Sequence, residues 1–258
     1  MRRRDDEGDR RLSPTIVDEP PEELADVRAG RLPARYGQRL QDVFLDQLSP
    51  RLRPGVAILD VGSGRSPTIA AADRPPGCRY VGLDVSAHEL RAAPPGAYQE
   101  MIVHDITRPL PMAAGHLFDV VISWQVLEHV KPLRAALDNL GRVLRPGGML
   151  ISQLSGTFAA FALLARIVPH RVRVRAMARF LGHSEDEKFP TYYDHCYASA
   201  LERMLGDWSS VAVHPFYRGA VYFGMSRLLQ RGYLRYESEI ERRDLRNLAT
   251  HYLVVATK

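Results

Sequence analysis

The chain has 258 residues, a formal net charge of +5 and 45% apolar residues. That length suits one α/β domain with insertions better than two full domains, and the apolar fraction supports a sizeable core. The longest apolar stretch, residues 158–168, contains Arg166 and falls short of the ~20 residues that span a bilayer.

Residues 1–28 are charged, carry Pro14, Pro20 and Pro21, and show little apolar periodicity, which predicts a disordered arm before a domain over 29–258. Tyr36, Leu40, Val43, Phe44 and Leu48 recur at helical spacing and predict a helix over 36–48, ended by Ser49-Pro50. Short apolar runs then predict strands at 56–61, 80–85, 101–104 (the weakest), 118–123 and 149–152. Helical stretches separate them, most clearly 132–144 with Leu133, Ala136, Leu137, Leu140 and Leu144. Strands alternating with helices imply a parallel sheet with right-handed crossovers. After Ser152 the pattern changes to a helical insertion over about 156–190, a helix over 194–205, strands at 211–217 and 251–257, and a helical stretch of about 225–248 between those strands.

The segment 58–66, ILDVGSGRS, runs from a buried strand into a glycine-bearing turn. Gly62 and Gly64 let a ligand approach the backbone, and a following helix N-terminus offers free N–H groups. A dinucleotide fingerprint needs glycine where this chain has Pro67, which argues against a nicotinamide-dependent oxidoreductase. No Gly-Lys-Ser/Thr follows, so the P-loop pattern fails as well. Asp84 stands 22 residues beyond Gly62 at the end of a strand, where a carboxylate can accept both ribose hydroxyls or serve as a solvated turn residue. Asp105 follows the third strand; it can accept an adenine amino group with Ile106 against the ring, or cap a turn. FDVVISWQVLEHV at 118–130 and RVLRPGGMLI at 142–151 complete the set, with a turn at Pro146-Gly147-Gly148.

In this order and spacing the segments resemble the class I S-adenosylmethionine-dependent methyltransferases, above all the group that reads VLEHV after the fourth strand and LRPGG after the next helix. The resemblance covers 36–152 well and the last strand less specifically. It implies an α/β fold: a seven-stranded, mostly parallel, doubly wound sheet with the last strand antiparallel, and helical insertions over the acceptor site. It implies S-adenosylmethionine as cofactor, with Asp60, Gly62 and Gly64 lining the methionine moiety, Asp84 the ribose, Asp105 with Ile106 the adenine, and Ser123 and Trp124 closing the pocket near the sulfonium. Two positions depart from the pattern. Ser66 stands where members often have a third glycine. Gln125 stands where some relatives have the first acid of an E-x-x-E-H metal site, and an amide cannot supply an anionic ligand, so no metal is expected. Both departures keep open a non-catalytic binding protein built on the same fold.

A bound sulfonium already carries a good leaving group, so such a protein contributes alignment and desolvation, and an oxygen acceptor also calls for a general base. His129, after the fourth strand, is the leading candidate, and His195, within PTYYDHCY, the second; both can equally be structural. The expected acceptor is a small molecule, a saccharide or a lipid-linked group, methylated at oxygen. The stretch 167–179, IVPHRVRVRAMAR, is a basic face that suits an anionic acceptor, peripheral contact with a membrane, or plain solvation. No nucleic-acid-reading module is visible, and nucleic acid is not expected as a partner. Cys78 and Cys196 form no metal or redox spacing, and no apolar leader follows Arg2–Arg4, so a cytoplasmic location is expected.

Overall fold

The computed structural model describes residues 26–111, 117–158, 190–224 and 226–258. The expected arm, apart from 26–28, and most of the expected insertion, with its basic stretch 167–179, lie outside the described residues. Five apolar runs pair side by side in parallel: β1 (Ala57–Val61), β2 (Arg79–Asp84), β3 (Glu100–Val103), β4 (Phe118–Trp124) and β5 (Leu144–Ser155). β6 (Ser210–Phe216) and β7 (His251–Thr257) extend the sheet, whose order is β3-β2-β1-β4-β5-β7-β6. β7 runs antiparallel to both β5 and β6, so the last strand is the reversed one, as expected. The order switches direction between β1 and β4, and that switch opens a crevice at the carboxyl ends of these two strands.

The strand interiors read as apolar runs because helices cover both faces of the sheet. On one face α3 (Leu133–Val143) presents Leu133, Ala136, Leu137 and Leu140 at helical spacing against Leu59, Val121 and Leu150. On the other face α1 (Leu40–Leu48) lays Phe44 and Leu48 over Ile58, Val120 and Ile122. Each fully buried leucine contributes about 2 kcal/mol of transfer free energy. α2 (Ala87–Arg91) is capped by Ser86, whose hydroxyl accepts from Glu89 N. Two further helices, α4 (Ala198–Met204) and α5 (Arg227–Arg242), flank β6 in sequence. Among the described residues no helix is long and apolar enough to cross a membrane.

Three helices differ from their expected bounds, each for a local reason. The helix expected over 36–48 starts at Leu40, after a separate 3-10 turn at Ala34–Gly37 and extended Gln38 and Arg39. Arg218 causes the break: its guanidinium donates to the carbonyls of Gln38 (2.7 Å) and Tyr36 (3.2 Å), and a continuous helix needs the Tyr36 carbonyl for Leu40. The helix expected over 194–205 starts at Ala198, because Tyr193 (φ +51°) and His195 (φ +60°) are left-handed and Asp194 instead accepts from Leu133 N at 2.9 Å. The stretch 225–248 divides into α5 and a 3-10 turn at Arg246–Leu248, with left-handed Asp244 (φ +51°) between them.

The segment before α1 is strapped to α5 through one buried acid. Glu237 has no solvent exposure and accepts from Gly219 N at 2.5 Å and from the Tyr36 hydroxyl. Arg35 pairs with it at 3.5 Å, and the Tyr36 oxygen in turn accepts from Ala220 N at 2.9 Å. Burial raises the Glu237 pKa, and the Tyr36 and Gly219 donors oppose that rise. Removing this acceptor strands two buried donors and an arginine. Glu237→Ala is therefore expected to lower unfolding free energy by about 3–5 kcal/mol in urea titration, and Tyr36→Phe by about 1–2 kcal/mol. A Glu237→Ala loss no larger than that of Tyr36→Phe would contradict the strap.

Candidate functional site

The chain leaves β1 through Asp60 and turns at Gly62 (φ +70°) and Gly64 (φ +48°), angles that favour glycine. Gly62 N donates to Leu83 O at 2.6 Å, which closes the turn onto β2. A Cβ on Gly62 would overlap the methyl groups of Val126, so the segment after β4 lies directly on the turn. Asp60 is buried beneath it. Its carboxylate accepts from Thr68 N (2.7 Å), from Thr68 Oγ1 (2.8 Å) and from the Tyr80 hydroxyl. Burial pushes the Asp60 pKa up to about 6, against the pull of these three donors. Tyr80 also accepts from Ile69 N at 3.0 Å, stacks with Tyr98 at 6.0 Å, and carries the Arg74 guanidinium 3.6 Å over its ring. The Tyr98 hydroxyl completes the clamp by donating to Gly64 O at 2.9 Å.

Asp84 ends β2 beside this turn, where the strand order places it. One carboxylate oxygen accepts from Ser86 N at 2.8 Å, and the other lies 3.5 Å from the position a Cβ on Gly64 would take. Burial raises its pKa, with backbone N–H groups opposing. Arg65 and Glu89 close the outer side through two hydrogen bonds of 2.6 Å. Asp105 caps its own turn: Oδ1 accepts from Thr107 N (2.9 Å) and Thr107 Oγ1 (2.8 Å), and the Thr107 N–H leads in holding its pKa low. Ile106 is buried in the core, and its carbonyl accepts from Asn139 Nδ2 at 2.9 Å. Ser123 pairs with Val61 in register, and its hydroxyl is buried without a partner among the described residues. Trp124 is half-buried and meets Phe44 edge-on at 5.3 Å.

The two histidines are held by one segment. His129 N donates to Val126 O at 2.9 Å, so this histidine sits one tight turn from the valine that touches Gly62. Its Nδ1 lies 3.2 Å from Pro190 O and 3.3 Å from Thr191 Oγ1. A carbonyl accepts only, so the Pro190 contact calls for a proton on Nδ1, which in the neutral ring leaves the lone pair on Nε2. His195 is exposed and bonds through Nδ1 to Asp194 Oδ1 at 2.8 Å. Between them Glu128 is buried: its Oε1 accepts from Ser155 N at 3.1 Å, and its carbonyl accepts from Tyr192 N and Tyr193 N at 3.0 Å. Gln125, Tyr193 and His195 are all left-handed, which concentrates backbone strain around Glu128.

Asp60, Gly62, Gly64 and Asp84 thus come together, Ser123 and Trp124 stand on the adjacent strand, and His129 reaches the turn through Val126. His195 joins the segment that holds His129. Sequence reasoning missed Thr68, Tyr80 and Tyr98, which lock the turn, and Glu128, which ties the segment after β4 to β5. A strand glycine, Gly82, was the available signal for Tyr98, because a Cβ there would meet the Tyr98 ring at 2.6 Å.

A seven-stranded sheet of this order, with a glycine turn after β1 and an acid closing β2, is the class I methyltransferase fold. Residues 59–152 match the family model described as "Methyltransferase domain". A ubiquinone biosynthesis O-methyltransferase of Methylobacterium sp. (strain 4-46) is 28% identical over 66% of this chain and 68% of its own length. One of Bradyrhizobium sp. (strain ORS 278) is 34% identical over 53% of each. The chain spans about half the length of the curated relatives it matches, 49% in the case of Rhizobium etli (strain CIAT 652). Among solved structures, phosphoethanolamine N-methyltransferase 2 of Haemonchus contortus, in complex with S-adenosylhomocysteine, aligns with a TM-score of 0.51 at 14% identity over 84% of this chain and 52% of that one. The [4+2]-cyclase SpnF aligns with a TM-score of 0.53 at 17% identity over 85% and 80%. These structural likenesses concern the fold.

The Asp60 clamp has a pH signature. Its folded pKa of about 6 lies above the ordinary 3.8, so the fold binds this proton more tightly than the unfolded chain. The stabilisation from that proton is complete below about pH 3.8 and is lost as pH rises through about 6, an amplitude of about 3 kcal/mol. Urea unfolding from about pH 4 to pH 7 should show wild type losing roughly that much relative to Asp60→Asn. Parallel pH profiles for the two proteins would contradict the assignment.

Proposed function

We propose that this protein transfers a methyl group from S-adenosylmethionine to a hydroxyl oxygen of a small-molecule, saccharide or lipid-linked acceptor. The observation that carries this reading is the Asp84 carboxylate set beside a glycine turn that Asp60 clamps from below. These residues fit the cofactor. The turn at Gly62 and Gly64 presents backbone without side chains, and Asp84 supplies an anionic hydrogen-bond acceptor beside it. In this reading Gly62 and Gly64 hold the methionine portion, Asp84 the ribose hydroxyls, and Asp105 with Ile106 the adenine. Ser123 and Trp124 flank the sulfonium, with the unpartnered Ser123 hydroxyl available to a ligand. Asp60 acts through the turn, because its oxygens already serve Thr68 and Tyr80.

S-adenosylmethionine supplies, when bound, an electrophilic methyl group on a neutral leaving group. The chain supplies position, dryness and proton removal. His129 Nε2 takes the proton of the acceptor hydroxyl, while the Pro190 carbonyl holds the ring through Nδ1. His195, paired with Asp194, stands on the same segment as a second proton carrier. Relatives named ubiquinone biosynthesis O-methyltransferase support an oxygen acceptor.

Calorimetry with S-adenosylhomocysteine tests the cofactor site. Wild type should bind, and Asp84→Ala should weaken binding at least about tenfold, since it removes charge-assisted hydrogen bonds. Absence of binding by wild type would end the methyltransferase reading and leave a binding protein on this fold. With a catechol as the probe acceptor, His129→Ala should lower kcat by about a hundredfold and leave S-adenosylhomocysteine affinity unchanged. An equal loss of that affinity would make His129 a structural residue.

A further inference from the structure

The first half of α5 presents a face that the other described residues leave uncovered. Its inner side is committed: Tyr233 and Leu234 pack on the cluster of Leu32, Tyr36 and Ala220, and Glu237 and Ile240 are buried. Its outer side exposes Leu228 at 81%, Leu229 at 56% and Tyr236 at 40%. Arg227, Arg231 and Arg235 are interleaved with them and exposed, and no acid occurs between Ser226 and Tyr236. The adjoining N-terminal segment adds exposed Arg28, while its Asp26 is paired with Arg31.

Leu228 and Leu229 join none of the buried clusters of the described residues, and the arginines around them suit an anionic apolar boundary. A nucleic acid would use the arginines and gain little from the leucines. A second copy docked face to face would set arginine against arginine. The position of the helix is also specific. β6 ends at Phe216, opposite His251, which in turn pairs with Ser155 at the carboxyl end of β5. The turn Gly219–Phe223 follows at that edge, and α5 is tied to it by Glu237 on Gly219 N and by packing of Tyr233 on Gly219. The face therefore belongs to the same edge of the sheet as Asp84 and His129.

We propose that the first half of α5 is a membrane-docking surface, with Leu228 and Leu229 entering the apolar boundary and Arg227, Arg231 and Arg235 resting on lipid phosphates. Docking there turns the carboxyl edge of the sheet toward the bilayer, where a lipid-borne acceptor would arrive. The surface itself stands whether or not the methyl-transfer reading holds, since it needs neither cofactor nor turnover.

Sedimentation of the full chain with phosphatidylcholine vesicles carrying phosphatidylglycerol, against vesicles of phosphatidylcholine alone, tests it. Binding to the anionic vesicles is expected, falling with added salt. Arg227→Gln/Arg231→Gln/Arg235→Gln should lower the partition by about a hundredfold, and Leu228→Glu/Leu229→Glu by at least about tenfold. All five positions are exposed, and unchanged urea midpoints establish that the variants are folded; Leu228→Glu alone serves if the double variant is not. The proposal is overturned if wild type stays in the supernatant, or if the variants bind like wild type. It is equally overturned if the leucine variant abolishes a concentration-dependent dimer and leaves vesicle binding intact, or if the face retains RNA and not vesicles.

Discussion

A carboxylate shut away from water governs this site. Asp60 has no solvent exposure, and desolvation disfavours its charge. Three donors from Thr68 and Tyr80 compensate, and the two from Thr68 can do so only if the chain between β1 and β2 folds back over the carboxylate. The glycine turn is the outcome of that requirement. Tyr98 then fixes the Gly64 carbonyl from the β3 side, and Val126 seals Gly62 from the β4 side. A ligand meets a turn already shaped by buried polar bonds, so little ordering remains to oppose its binding.

The opposite half of the crevice is built from strain and a second buried acid. Glu128 gathers Ser155, Tyr192 and Tyr193 by hydrogen bonds, and the left-handed residues Gln125, Tyr193 and His195 surround it. This arrangement holds the segment after β5 against the segment after β4 and sets His129 on Pro190. Farther along the same edge, Glu237 and Arg218 fasten the strap before α1 to β6 and α5. Three buried acids thus act as organisers of the turn, the histidine segment and the strap.

The sheet was legible because its information is local. Each predicted strand is an apolar run of the right length, and the observed strands match them within a residue or two, β5 excepted, which runs from Leu144 through the Pro-Gly-Gly turn to Ser155. The cluster of Asp60, Gly62, Gly64 and Asp84 was legible for the same reason, since strand ends and turn glycines mark it. What could not be read depends on partners far away in sequence. The helix break at Gln38 is imposed by Arg218, 180 residues later. Tyr36 satisfies helical periodicity and yet serves Glu237, 201 residues away. Asp194 reads as a helix start and instead caps α3 at Leu133. Asp105 was open between a ligand contact and a turn cap, and its bonds to Thr107 give it the cap, with the ligand contact a proposal beside it.

The turn over Asp60, with Asp84 beside it, is the proposed cradle for S-adenosylmethionine. Amide hydrogen exchange with and without S-adenosylhomocysteine tests this most directly, because it reports where the backbone is ordered by the ligand. Slowed exchange is expected at 61–68, 84–89 and 105–107, at the carboxyl edges of β1, β2 and β3, with no change in β6. Protection confined to segments remote from this crevice, or none at these turns despite measurable binding, is the contrary result.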